Sequence, residues 1–153
     1  MTERSIEHAS FTIERRYDAT PERVFAAWAD PAVKALWFAG PEEWEGGPHE
    51  LDFREGGREV ASGAPKGGPV HRYRAIYWEV VPNERIVYTY ELLIDEDRSS
   101  VSLVTVALDR DGEGTRLTLT EYGAFFDGLE DPDVRPGGTG SLLDGLGREL
   151  ERR

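Results

Sequence analysis

Apolar and polar residues alternate with period two over Phe11-Thr12-Ile13-Glu14-Arg15-Arg16-Tyr17 and, more regularly, over Thr115-Arg116-Leu117-Thr118-Leu119-Thr120-Glu121. This is the pattern of strands with one face turned to a core. Between them lie two aromatic, β-branched runs, Ile76-Tyr77-Trp78-Glu79-Val80-Val81 and Ile86-Val87-Tyr88-Thr89-Tyr90-Glu91, joined by Pro82-Asn83-Glu84-Arg85. Pro-Asn is turn chemistry, so Val70 to Ile94 reads as a long antiparallel hairpin. A shorter hairpin is expected around Gly56-Gly57, with Leu51-Asp52-Phe53-Arg54 on one side and Arg58 to Ala61 on the other, and a further strand from Val101 to Leu108.

The period changes where proline follows a capping residue. Thr20-Pro21 and Asp30-Pro31 each place a side-chain acceptor before a first-turn proline, whose missing N–H costs nothing there. Two short helices follow, the first carrying Val24, Phe25, Ala27 and Trp28, the second Val33, Leu36 and Trp37. A last helix carries Leu142, Leu143, Leu146 and Leu150 on one stripe, with Thr139 or Ser141 as its cap, after a long connection from Gly123 to Gly138. Ser62 to Pro69 is a Gly- and Pro-rich surface loop. Between Leu51 and Glu121 there is no room for the helical crossovers that parallel strands need, so the sheet is antiparallel and the class is α+β. A twisted sheet of this size curls around the helix packed on it.

The segments Tyr17-Asp18-Ala19-Thr20-Pro21-Glu22-Arg23-Val24-Phe25, Asp30-Pro31, Arg54-Glu55-Gly56-Gly57, Val81-Pro82-Asn83-Glu84-Arg85-Ile86 and Gly114 to Phe125 come in an order and spacing that resembles the START-like (SRPBCC, helix-grip) superfamily. Within it, the chain is similar to the branch named after the activator of the heat-shock-protein-90 ATPase. The resemblance covers about Phe11 to Leu150. It implies a seven-stranded curved antiparallel sheet gripping a long C-terminal helix, two short helices after the first strand, and an apolar cavity between sheet and helix. On this basis residues 1–153 form one START-like domain, with 1–9 as a flexible N-terminus. Members of the superfamily bind hydrophobic small molecules, and some branches are cyclases or hydrolases; fold alone does not choose among these.

Composition narrows the partners. The chain has 30 acidic against 18 basic residues, a net charge of -12, and its mean field repels nucleic-acid phosphates and anionic lipid surfaces. With no cysteine, disulfides, thiolate metal sites and a cysteine nucleophile are excluded. No apolar run approaches the ~18 residues of a membrane span, so a cytoplasmic protein is expected. The three histidines, His8, His49 and His71, have no metal-motif spacing, and neither a metal nor a cofactor is expected. The phosphate loop, the dinucleotide turn and the nucleophile elbow are all missing.

Four tryptophans, six tyrosines and six phenylalanines are the better functional clue. Tyrosines on a sheet face offer apolar surface and a hydroxyl together, which suits a ligand pocket. On the strand before Pro82, Tyr73 and Tyr77 share one face and Ile76 and Trp78 the other, and which of them faces inward stays open. Glu121 continues the face of Leu117 and Leu119, where a carboxylate needs a partner or a proton. The residues expected to line a binding cavity are Trp28, Trp37, Phe38, Trp44, Tyr73, Trp78, Tyr88, Tyr90, Glu121, Phe125, Leu142 and Leu146. The leading reading is a carrier of a small hydrophobic molecule. A cyclase- or hydrolase-like enzyme with Glu121 as acid or base, and a chaperone-associated module using the outer sheet face, are the alternatives; a homodimer is left open.

Overall fold

The computed structural model describes residues 3–153. The order is β1 (Ile6–Tyr17), α1 (Pro21–Ala29), α2 (Pro31–Trp37), two short pieces β2 (Glu45–Gly46) and β3 (Glu50–Leu51), then β4 (Arg58–Ala64), β5 (His71–Val81), β6 (Arg85–Ile94), β7 (Asp97–Asp111) and β8 (Gly114–Phe126). A 3-10 turn, Pro132–Val134, leads into α3 (Arg135–Glu151). The strands form one antiparallel sheet in the order β1-β8-β7-β6-β5-β4-β2, with β3 also on β4. The helices cover its concave face. The α+β class and helix-grip arrangement therefore hold, with eight strands in place of the expected seven, because the segment before Gly56-Gly57 breaks into β2 and β3.

Several boundaries differ from the sequence reading. β3 stops at Leu51, short of the expected Arg54, β4 runs to Ala64 into the expected loop Ser62 to Pro69, and β8 runs to Phe126 into the expected connection. Three further differences have a physical reason. β1 begins at Ile6 instead of Phe11, so Ile6 to Ala9 of the expected flexible stretch 1–9 pair with Phe126 to Gly123. The side chains of 6–8 are exposed, so their pairing, made by the main chain, leaves no hydrophobic pattern. Residues 1 and 2 lie outside the described residues. β7 extends beyond Val101 to Leu108 at both ends, through its charged flanks. α3 starts at Arg135, so Thr139 and Ser141 lie inside it and do not cap it; Asp131 caps the preceding 3-10 turn instead, and Pro136 sits in the first helical turn, where it is tolerated.

The two short helices begin as their caps predict. Thr20 Oγ1 accepts from Arg23 N and Asp30 Oδ1 from Ala32 N. Asn83 takes a positive φ of 66 in the turn between β5 and β6, a conformation asparagine tolerates. The core lies between the concave sheet face and the helices and includes Val24, Trp28, Ile86, Val104, Val106, Leu117, Leu119, Leu143 and Leu146.

Candidate functional site

Side-chain alternation and register place successive rows across the concave face. One row runs through Tyr77, Tyr88, Val104 and Glu121. The next runs through Ala75, Tyr90, Ser102, Gly123 and Ala9, so apart from Tyr90 it is built of small residues. Such a row leaves a recess, which the Phe125 ring folds over: a Cβ added at Gly123 would lie 2.9 Å from that ring and 2.9 Å from Ser102 Oγ. Both values are shorter than a Cβ contact allows, so glycine is required there by close approach.

Two charged clusters lie on this face, one at Tyr77 and the other at Tyr90, within a set of packed tyrosines. Between ring centres Tyr77 and Tyr88 are 5.5 Å apart, Tyr88 and Tyr90 6.3 Å, and Tyr90 and Tyr73 4.9 Å, Tyr73 packing in turn on Phe38 at 4.9 Å. In the first cluster Lys34, from α2, is fully buried. Its Nζ donates to Glu59 Oε1 at 2.7 Å and to the Tyr77 hydroxyl at 2.9 Å. Tyr77 donates to the same Glu59 oxygen at 2.7 Å, and His49 Nε2 lies 2.7 Å from the other. Five rings surround the ammonium group, from Phe38 at 4.5 Å and Trp28 at 5.1 Å to Tyr77, Trp37 and Tyr88 at 5.6–5.9 Å. Burial lowers the Lys34 pKa against the pull of Glu59. Burial pushes Glu59 up, but Lys34, His49 and Tyr77 outweigh it and hold its carboxyl below the usual range.

The second cluster centres on Arg135, the first residue of α3. Nη1 donates to Glu121 Oε2 at 3.0 Å and to the Tyr90 hydroxyl, which itself donates to Glu121 Oε2 at 2.7 Å. Nη2 donates to Ser100 Oγ at 2.8 Å and to Glu130 Oε2. The guanidinium carbon lies 4.8 Å from the Phe125 ring centre and 5.5 Å from that of Tyr90, over the recess. Burial lowers the Arg135 pKa, but the surrounding oxygens outweigh it and raise the net value. Burial, the largest cause in each case, pushes the phenols of Tyr73, Tyr77, Tyr88 and Tyr90 up, so all four are neutral hydrogen-bonding groups.

Unmet polar groups occur near both clusters. Among the described residues, three buried side-chain atoms have no hydrogen-bond partner: Trp28 Nε1, the Tyr73 hydroxyl and Ser102 Oγ. Ser102 Oγ faces the Tyr90 hydroxyl, and the Tyr73 hydroxyl faces that of Tyr88, in each case without a bond of acceptable length and angle. An unmade hydrogen bond at a buried group costs about 1–3 kcal/mol.

α3 is anchored unequally over this face. Its C-terminal part is tied by Leu143, Leu146 and Leu150 in the core, by the Tyr17 hydroxyl donating to the Leu143 carbonyl at 2.8 Å, and by Arg15 on Asp144 at 2.8 Å. Its first two turns contain Gly137, Gly138 and Gly140; Gly140 is buried beside Arg15 of β1, and the Arg135 side chain ties the first turn to Glu121 and Ser100 of the sheet. Beside them an open groove of about 500 Å³ runs between β1 and α3, lined by Ile13, Arg15, Pro136, Gly140 and Asp144 among others. The space between sheet and α3 that the resemblance implies as an apolar cavity is occupied by the tyrosine rings, Phe125 and Arg135.

The expected site residues divide accordingly. Trp28, Trp37, Phe38 and Tyr88 surround Lys34; Tyr73, Tyr90, Glu121 and Phe125 line the recess. Leu146 is buried core and Leu142 packs at its margin. Trp44 sits at the periphery on the His71 ring, 4.7 Å away. Trp78 is a correction: Tyr73 and Tyr77 take the inner face, so Trp78 points outward, is 60% exposed, and donates Nε1 to Thr89. Lys34, Glu59, Arg135 and Ser102 were missed. Lys34 stands three residues before Trp37, hence on the same helical face, while Leu36 points to solvent. Opposite charges at two otherwise core-facing positions, Lys34 on α2 and Glu59 on β4, were the available signal. Among the described residues no group of three His, Cys, Asp or Glu is placed to hold a metal, and no helix is long and apolar enough to cross a membrane.

Comparison with known proteins agrees with the fold. No curated protein matches the chain. An uncharacterized protein from Rhizobium leguminosarum is 45% identical, with 99% of this chain and 100% of that one covered and a TM-score of 0.94. A protein from Rhizobium loti is 44% identical over 95% of this chain and 99% of its own, with a TM-score of 0.87. An AHSA1-like protein from Aeromonas hydrophila, at 22% identity, 94% and 93% coverage and a TM-score of 0.70, shares the fold. The family described as Activator of Hsp90 ATPase homolog 1-like protein matches residues 18–151, nearly the whole arrangement from the first helix to the end of α3, and the chain belongs to that family.

Proposed function

We propose that this chain is a binding protein for a small, largely apolar molecule, held on the concave sheet face beneath the first two turns of α3. The observation that carries the reading is the pairing of a small-residue floor, Ala75, Ser102, Gly123 and Ala9, with a buried Ser102 hydroxyl that faces the Tyr90 hydroxyl without a well-formed hydrogen bond to it. A purely structural core gains by replacing such a hydroxyl with carbon, whereas a ligand pocket keeps a few placed polar groups among apolar walls. The side chains that fill the recess, Phe125 and Arg135, come from the end of β8 and the start of α3, the least anchored part of the cover. Entry is by displacement of these two groups from the side of the β1–α3 groove.

Glu121 does not favour the enzyme reading. Its Oε2 accepts from Tyr90 and Arg135, which speaks against Glu121 as a general acid, and as a base the same oxygen is already engaged by both donors.

The test is titration with the uncharged fluorescent probe N-phenylnaphthylamine, alongside native mass spectrometry and solvent extraction of freshly purified protein. Saturable one-to-one binding is expected, abolished in Ser102→Leu, which fills the floor, while the circular dichroism spectrum is kept. A protein that carries no small molecule and takes up no probe, or a Ser102→Leu variant that binds as well as the native chain, overturns the reading.

A further inference from the structure

Resting on that reading, we infer that the ligand bears an anionic head group, a carboxylate or sulfonate on an apolar body, which Arg135 takes in exchange for Glu130. A guanidinium is a planar fork of five donors that matches a two-oxygen anion, and Arg135 already spends its two terminal nitrogens on two carboxylates. These two partners are unequal. Glu121 is 3% exposed, set in the middle of β8 and locked by Tyr90. Glu130 is 20% exposed and stands in the connection after the turn at Asp127 and Gly128, both of which have positive φ. That turn is held at Asp127, which accepts from Ser5 N and Arg4, so Glu130 can swing into water without disturbing its root.

Exchange of one carboxylate for another leaves the charge of the site unchanged. The buried cation keeps two anionic partners throughout, and the desolvation cost of a bare guanidinium never arises. An uncharged ligand gains nothing from this exchange: it must move Arg135 aside from the Phe125 and Tyr90 rings without offering it an anion, and so binds the same floor more weakly. Glu130 is thus a built-in substitute for the head group, and the apolar body lies along Ser102 and Gly123 between Tyr73, Tyr90 and Phe125. The net charge of -12 opposes long-range attraction of an anion, so recognition resides in the fork itself.

The experiment compares anilinonaphthalene sulfonate with N-phenylnaphthylamine, which has the same aromatic body without the charge. The sulfonate is expected to bind the native chain about tenfold tighter or more, the size of one charge-assisted bond. Glu130→Gln, a change at a partly exposed site that leaves folding intact, raises this preference several-fold further, and Arg135→Met erases it. A native chain that prefers the uncharged probe, or a Glu130→Gln variant whose preference equals that of the native chain, overturns the anionic head group while leaving the pocket reading in place. Failure of both probes to bind overturns the pocket reading and this inference together.

Discussion

Lys34 with Glu59 and Arg135 with Glu121 are the same chemistry in two settings, a cation from a covering helix meeting a carboxylate from an inner strand face beneath it. Around Lys34 both charges are enclosed: five rings, with the Tyr77 hydroxyl among them, and His49 surround the pair and neither side chain reaches solvent, although the neighbouring Trp28 Nε1 has no partner. Around Arg135 the shell leaks, through Glu130 toward solvent and through Ser102 toward an unmet hydrogen bond. A fully satisfied buried pair rigidifies the packing around it, whereas a partly satisfied one marks where something else can enter. The difference assigns the first cluster to the scaffold and the second to exchange with a ligand.

The largest effect that would break this comparison is at the closed cluster. Lys34→Ala strips Glu59 of its charged partner inside the core and is expected to cost about 3–5 kcal/mol in urea unfolding. Lys34→Met combined with Glu59→Leu removes both charges and should recover most or all of that loss. If the double variant binds N-phenylnaphthylamine like the native chain, the cluster is scaffold; if binding disappears in a well-folded double variant, the division into two roles fails.

The same pair titrates. Glu59 has a folded pKa held below its ordinary value of 4.5, so its contribution to stability is fully present above about pH 4.5 and is lost as the pH falls through the lower folded value. Glu59→Gln should therefore flatten the acid limb of stability against pH below that point. Arg135, raised further above an ordinary value already beyond the working range, adds no such slope at any pH where the protein is handled. An acid limb unchanged in Glu59→Gln would show that other carboxyls carry it.

How much of this was legible in the chain follows from what each residue type announces. The strands of Tyr88, Tyr90 and Leu117 to Glu121 were readable because alternation records which face is dry, and the two short helices because Thr20-Pro21 and Asp30-Pro31 carry their own caps. The start of β1 was hidden because main-chain pairing at a sheet edge leaves exposed side chains unconstrained. Arg135 looked like loop, standing before Pro-Gly-Gly, and its charge is explained only once β6, β7 and β8 bring Tyr90, Ser100 and Glu121 to one place. Lys34 was passed over since a lysine among apolar residues reads as surface until a carboxylate from β4 is found facing it. Ser102 shows the same limit: its hydroxyl becomes informative only as a group left unpaired in three dimensions.

A smaller effect sharpens the open end. Ser102→Ala removes an unpartnered buried hydroxyl and should stabilise the chain by about 1 kcal/mol, while weakening probe binding. Stability gained at the expense of binding is the mark of a residue kept for a ligand. A loss of stability in Ser102→Ala would show that the hydroxyl finds its partner inside the fold, and the recess would then be as closed as the shell around Lys34.

The smallest effect is expected at Trp78, which tests the division of the sheet itself. Trp78 stands on β5 next to Tyr77, yet one residue of alternation sends Tyr77 into the closed cluster and Trp78 to the convex face. Trp78→Ser gives up one exposed ring and one hydrogen bond to Thr89, so unfolding should move by no more than about 0.5–1 kcal/mol and both probes should bind as before. Its indole also provides the readout: emission from a ring on the outer face should be quenched by iodide and should not respond to anilinonaphthalene sulfonate on the far side except through distance-dependent energy transfer. A Trp78→Ser chain that loses probe binding would place the ligand on the convex face, and the contrast between the Lys34 and Arg135 clusters would then describe two parts of one scaffold.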